Sequence, residues 1–119
     1  MTDKPIDSVP SQYRQRGYAK PYSRWHWENL PTYCYMIDLD CVEWRPSKGI
    51  VALVETRATD TFLNKFQHGI ITSISQAMNV PAYFVRHNPE LTQFKVMNLG
   101  TDQEKIMTAE DYKNFLKYL

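Results

Sequence analysis

Cysteine and glycine are scarce in this chain, net charge is almost absent, and no long apolar run occurs. Its 119 residues include two cysteines and four glycines, and the formal net charge is +1. Cys34 and Cys41 are seven apart with no CxxC pair, so on a continuous strand they point to opposite faces. That spacing argues against a local disulfide or a shared zinc, and buried free thiols in a reducing compartment are expected. No apolar run approaches membrane-spanning length, so no membrane partner is expected. The N-terminus is polar, without the apolar segment of a signal peptide. The expected compartment is the cytoplasm, or the host cytoplasm if the chain is viral. A charge of +1 gives no global basic field, so any nucleic-acid partner must be met by a local patch. GxSxG, P-loop, GxGxxG and HExxH motifs are all missing, which removes the commonest hydrolase, nucleotide-binding and zinc-protease classes.

What is present is an ordinary hydrophobic share of 43% and a high aromatic share of 13%. The length suits a single domain with a real core. Residues 1–12, polar and carrying Pro5 and Pro10, read as a flexible lead-in to a single domain over 13–119. Arg14, Arg16, Lys20 and Arg24 lie among Tyr13, Tyr18, Tyr22 and Trp25. Interleaved cations and rings suit an arm that tracks a nucleic-acid backbone. A solvated tail that packs its rings on the domain fits equally well.

Patterning predicts a short helix over Ser23–Asn29 capped by Ser23, then strands near 33–44 and 50–57 around a Pro/Ser/Gly turn. Both strands carry apolar residues on both faces, as central strands do. Asp60 or Thr61 can cap a helix whose apolar face runs through Phe62, Phe66, Ile70, Ile74, Ala77 and Met78, with Asn79 as its stop. Gly69 inside it predicts a close contact. Strands over Pro81–His87 and Gln93–Leu99 follow, then a loop over Gly100–Lys105. A Thr108-led capping box opens a last helix. The expected class is α/β or α+β, a mixed sheet with flanking helices.

The chemistry concentrates in the first hairpin. A turn centred between Ser47 and Lys48 sets Asp40 opposite Glu55 and Asp38 opposite Arg57. Strand alternation then turns all four side chains to one face. Facing carboxylates repel unless a cation lies between them. A divalent metal is the simplest such cation, and oxygen donors suit Mg²⁺. Mutual pairing with Arg57 or Arg24 is the structural alternative. Asp38 can serve as a second acid or neutralise Arg57. Glu28 is a candidate upstream acid, or a surface residue pairing with Arg24 at helical spacing. Lys65, one turn into the next helix, is a second candidate cation or a plain exposed lysine. Gln67 can orient a phosphate or water, or be a solvated helix residue.

An aspartate near a strand end, a turn, then an apolar strand ending in (D/E)-x-K is the pattern of PD-(D/E)XK nucleases. Asp40 and Glu55-Thr56-Arg57 resemble it, with arginine where the family has lysine. The resemblance spans roughly residues 22–99 and looks like a small phage or prokaryotic branch. It implies a restriction endonuclease-like fold and Mg²⁺-dependent phosphodiester hydrolysis in DNA, with Mn²⁺ as a substitute ion. Asp40, Glu55, Asp38 and Glu28 would then be metal ligands, and Arg57 or Lys65 would stabilise charge on the phosphate. A single small domain offers limited DNA contact, which leaves room for a homodimer. The alternative that the arginine raises is a degraded nuclease fold that binds nucleic acid or serves in assembly without cutting. Asp40→Ala or Glu55→Ala is expected to abolish Mg²⁺-dependent cleavage with the fold intact. Because removing one of two facing acids relieves repulsion in the metal-free state, stability is expected to stay level or rise.

Overall fold

The computed structural model describes residues 21–36 and 39–119. The chain divides into two compact units between Asp38 and Leu39. The first contains α1, Pro21–Asn29, with Ser23 and Trp27 buried one helical turn apart. Ser23 therefore lies inside the helix and does not cap it. The helix starts instead at Pro21, a residue well suited to a first turn because its missing N–H would be unpaired there anyway.

The second unit holds β1 (Cys41–Arg45), β2 (Gly49–Ala58), α2 (Lys65–Met78), β3 (Ala82–His87), β4 (Gln93–Asn98), β5 (Gln103–Thr108) and α3 (Ala109–Lys117). The five strands form one sheet in the order β1-β2-β3-β4-β5. Only β2 and β3 are parallel, joined by α2, and the other neighbours are antiparallel. The unit is therefore α+β with a mixed sheet.

Strand alternation divides this sheet into two faces. Val54, Val85 and Val96 line one of them, under Tyr83, Phe94, Met107, Tyr112 and Phe115. Tyr112 stacks on Phe94 at 4.4 Å, and Phe115 meets Tyr83 edge-on at 5.0 Å. Helix α3 is fixed there by Thr108, whose hydroxyl accepts the Asp111 N–H, as the capping pattern predicts. The opposite face carries Leu53, Glu55 and Arg57 of β2 and Phe84 and Arg86 of β3, with α2 packed on β2 and β3.

Several expectations are corrected. Strand β1 is an edge, not a central strand, and Cys41, Val42 and Trp44 on it are exposed. Cys41 is thus exposed and Cys34 half-buried, and neither is in a disulfide. Helix α2 starts later than predicted. Its N-cap is Asn64, which accepts the Gln67 N–H, so neither Asp60 nor Thr61 caps it. Asn79 does stop it, in the left-handed conformation at φ 55°. The loop expected over Gly100–Lys105 is cut short by β5. That strand shows no apolar alternation because it is an edge with only Met107 turned into the core.

Gly69 was expected to mark a close approach, yet a Cβ there would meet nothing within 4 Å. Glycine in a helix interior costs roughly 1 kcal/mol against alanine. Gly69→Ala should therefore raise stability by about that amount in urea unfolding. An unchanged or lowered midpoint would mean that the glycine has a use the static packing does not reveal.

Burial pushes the Tyr112 phenol up to about 12, with Glu43 and Cys41 adding repulsion. The folded value then lies above the ordinary value near ~10. Stability from this group is fully present below pH ~10 and is lost as pH rises toward 12. Urea midpoints for wild type should fall across that interval, and Tyr112→Phe should fall less. Equal losses in both proteins would assign the alkaline limb to other groups, such as Tyr83, which burial also raises.

Candidate functional site

The first hairpin reaches its expected register by an unexpected route. Cys41 pairs with Val54, Val42 with Leu53 and Glu43 with Ala52, the offset that puts Asp40 level with Glu55. Nearer the turn the offset changes: Trp44 pairs with Ile50 and Arg45 with Gly49. The loop is therefore Pro46-Ser47-Lys48, with Gly49 at φ +79°. Lys48 N–H donates to the Arg45 carbonyl at 3.1 Å and closes the turn. Glycine is the residue that takes a positive φ without strain, which suits this loop class. A bulge at Val51 restores the half-step that the turn gives up.

Strand β1 begins only at Cys41, not near residue 33 as expected, because carboxylates take over the hydrogen bonds of the ladder before it. Asp40 N–H donates to Glu55 Oε1 at 2.8 Å, and Thr56 N–H donates to Asp40 Oδ2 at 3.0 Å. Each acid thus accepts a backbone donor belonging to the other strand. The Thr56 hydroxyl also reaches Asp40 Oδ2, at 3.5 Å.

Arg57 completes the group. Its Nη1 lies 3.0 Å from Asp40 Oδ2 and 3.3 Å from Glu55 Oε2, and it donates to the Thr56 carbonyl at 2.7 Å. Side-chain exposure is 8% for Asp40, 2% for Glu55 and 10% for Arg57. Two carboxylates and a guanidinium therefore form a nearly buried triad of formal charge −1. The cation that their repulsion requires is supplied, in these contacts, by the chain itself.

Other candidates are distributed differently. Asp38 lies outside the described residues. Glu28 is half-buried on α1, in the other compact unit. Lys65, expected to reach toward the acids, is exposed as the first residue of α2 and makes no ion pair among the described residues. The late helix start explains this, because Lys65 begins the first turn instead of ending it. Gln67, expected to be solvated, is buried at 8% exposure. Among the described residues, no group of three or more His, Cys, Asp or Glu side chains is arranged to hold a metal ion. No helix among them is long and apolar enough to cross a membrane.

Sequence reasoning missed Arg86. It is level with Arg57 on the parallel neighbour β3, is 8% exposed, and pairs with Glu104 on β5. Nothing in the local pattern marks it, since both partners depend on strand order. A further unpredicted tie holds the hairpin to α3, where Arg45 Nη2 donates to the Leu116 carbonyl at 2.6 Å. The Leu116 carbonyl also accepts the Leu119 N–H at 3.3 Å, and the partial negative charge at a helix C-terminus suits a guanidinium. No family model matches the chain, and no curated protein or solved structure matches it.

Proposed function

We propose that this protein is a Mg²⁺-dependent nuclease of the PD-(D/E)XK type, with a restriction endonuclease-like core, cleaving phosphodiester bonds in DNA. One observation carries the proposal: Asp40, Glu55 and Arg57, from two strands, converge in a single buried triad. Purely structural edges rarely bury three charges together, because the desolvation cost is high. Support also comes from the chain order, in which the acidic strand β2 leads through α2 to a parallel strand, β3.

The donor set fits the ion in kind. Mg²⁺ takes hard oxygen ligands and is commonly held by one or two carboxylates together with substrate phosphate oxygens. Asp40 and Glu55 would supply those carboxylates, and Mn²⁺ would substitute. When bound, the ion would polarise the scissile phosphate and lower the pKa of a water. The chain's own residues have separable tasks. The Thr56 and Asp40 backbone donors aim the two carboxylates, and fixed geometry of this kind is what positioning contributes to catalysis. Arg57 cannot serve as a base, since guanidinium stays protonated in proteins. Its fork suits a phosphate oxygen carrying developing charge. In this assignment Arg57, and not Lys65, is the motif cation.

A second reading is favoured by the same guanidinium. Because Arg57 already bridges both carboxylates, the triad would be complete without metal, and the protein would bind DNA or join an assembly without cutting it. Supercoiled plasmid incubated with millimolar Mg²⁺ or Mn²⁺, against an EDTA control, separates the two. Metal-dependent nicking by homogeneous protein is expected. Shifted but uncut plasmid would transfer the case to the binding subunit, as a dimer or a monomer.

A further inference from the structure

The face that carries Glu55 and Arg57 continues one strand over into a cavity of about 190 Å³. Register fixes the neighbourhood: Glu55 is level with Phe84, Arg57 with Arg86, and Arg86 with Lys95 on β4. Partnered residues on adjacent strands point to the same side, so the triad and the cavity share one surface of the sheet. Phe62, Leu63, Phe84 and Met97 make apolar walls, while Arg86 and His68 contribute the polar atoms.

Arg86 is the unusual member. Its guanidinium carbon lies 5.1 Å from the Phe62 ring centre and 5.8 Å from that of Phe84. Nη2 donates to Glu104. Nε is buried and has no acceptor among the described residues. A buried donor left unmet is costly, and native proteins rarely leave one without a use. Phe62, by contrast, is 77% exposed and stands at the cavity with most of its ring available.

An apolar, aromatic-walled recess with a guanidinium in its lining fits a flat ring system bearing an acceptor on its edge. Bases carry such acceptors on ring nitrogens and carbonyl oxygens. We propose that this cavity is a nucleobase pocket, which takes one unstacked base of a single-stranded segment beside the acid triad. The base stacks on Phe62, and the Arg86 guanidinium, which lines the recess, is the donor to its edge. Lys95, half-buried on the same row, is placed to meet a flanking phosphate. The choice of nucleic acid as ligand rests on the function proposed above. A base paired within a duplex cannot enter such a recess without leaving its stack, so single strands are preferred over duplex.

Binding of a short fluorescein-labelled single-stranded oligonucleotide, followed by anisotropy in EDTA, tests the pocket without cleavage. Single strand should bind more tightly than a blunt duplex of the same sequence. Phe62→Ala should weaken it by roughly five- to a hundredfold, the range for one base–aromatic stack. The exposed position makes that variant safe for folding, and Phe62→Trp should keep wild-type affinity, which a merely structural role would not require. Equal affinity of Phe62→Ala and wild type, equal affinity for duplex, or no binding of the single strand would each overturn the pocket. The two proposals fail separately. Plasmid nicking with an inert Phe62→Ala removes the pocket alone, whereas Phe62-dependent binding without nicking removes the nuclease alone.

Discussion

Replacing Arg57 with alanine should cost about 3–5 kcal/mol of folding stability at neutral pH, the usual penalty for breaking a buried ion pair. The reason is specific to the triad. Arg57 Nη1 contacts both Asp40 and Glu55, whose side chains are 8% and 2% exposed. Without the guanidinium two carboxylates remain close together, away from water, and lose the cation that contacts both. Neither can easily escape, because Asp40 accepts from Thr56 N–H and Glu55 accepts from Asp40 N–H. Arg57→Lys should lose less, since the charge is kept while the fork is not. Urea unfolding of the three proteins gives the comparison directly. The same experiment carries a metal arm. If the acids hold a divalent ion, Mg²⁺ or Mn²⁺ should restore part of the loss in Arg57→Ala, by about 2.7 kcal/mol at a hundred times the dissociation constant. An alanine variant as stable as wild type would mean that the triad contributes nothing to folding. An unstable variant indifferent to both ions would count against metal binding and in favour of the binding subunit.

Asp40→Asn and Glu55→Gln should each lower metal-dependent nicking by roughly a hundredfold or more, a loss at least as large as removing one preorganised donor at an active site. These amides keep the shape and an acceptor oxygen, so the Thr56 and Asp40 N–H bonds can persist. Stability should fall by only about 1–3 kcal/mol, the cost of disturbing buried polar partners. Simple repulsion between facing acids predicts the opposite, a neutral or stabilising change. That expectation is superseded because Arg57 already offsets the repulsion, and an amide beside it loses a charged partner. Nicking rates on plasmid, measured with circular dichroism melts on the same samples, keep the two effects apart. If both amide variants cut as fast as wild type, Asp40 and Glu55 are not the metal ligands. If they melt above wild type, the pairing seen in the triad is not what holds the hairpin end.

The amino-acid sequence alone determined the parts of this protein that depend on neighbours along the chain. The Thr108 cap, the Asn79 stop, the turn before Gly49 and the period-two hairpin all follow from local backbone preferences. The convergence of Asp40 and Glu55 was also legible, because a hairpin register is set by its own turn. Even so, the route to it was not: the loop is shifted by half a step and the bulge at Val51 restores it. Local pattern could not decide what depends on strand order. Residues on β1 read as central, yet β1 became an edge, and β5 read as loop because an edge strand needs only one inward side chain, Met107. The direction of Arg57 was likewise decided in three dimensions. The sequence left Arg57 either opposite Asp38 or paired with the facing acids; its Nη1 contacts Asp40 and Glu55, and Asp38 lies outside the described residues. Arg86 was invisible for the same reason. Its burial between Phe62 and Phe84, its pairing with Glu104 and its alignment with Arg57 all arise from contacts between segments far apart in the chain, which only the parallel crossover through α2 and the added strand β5 bring together.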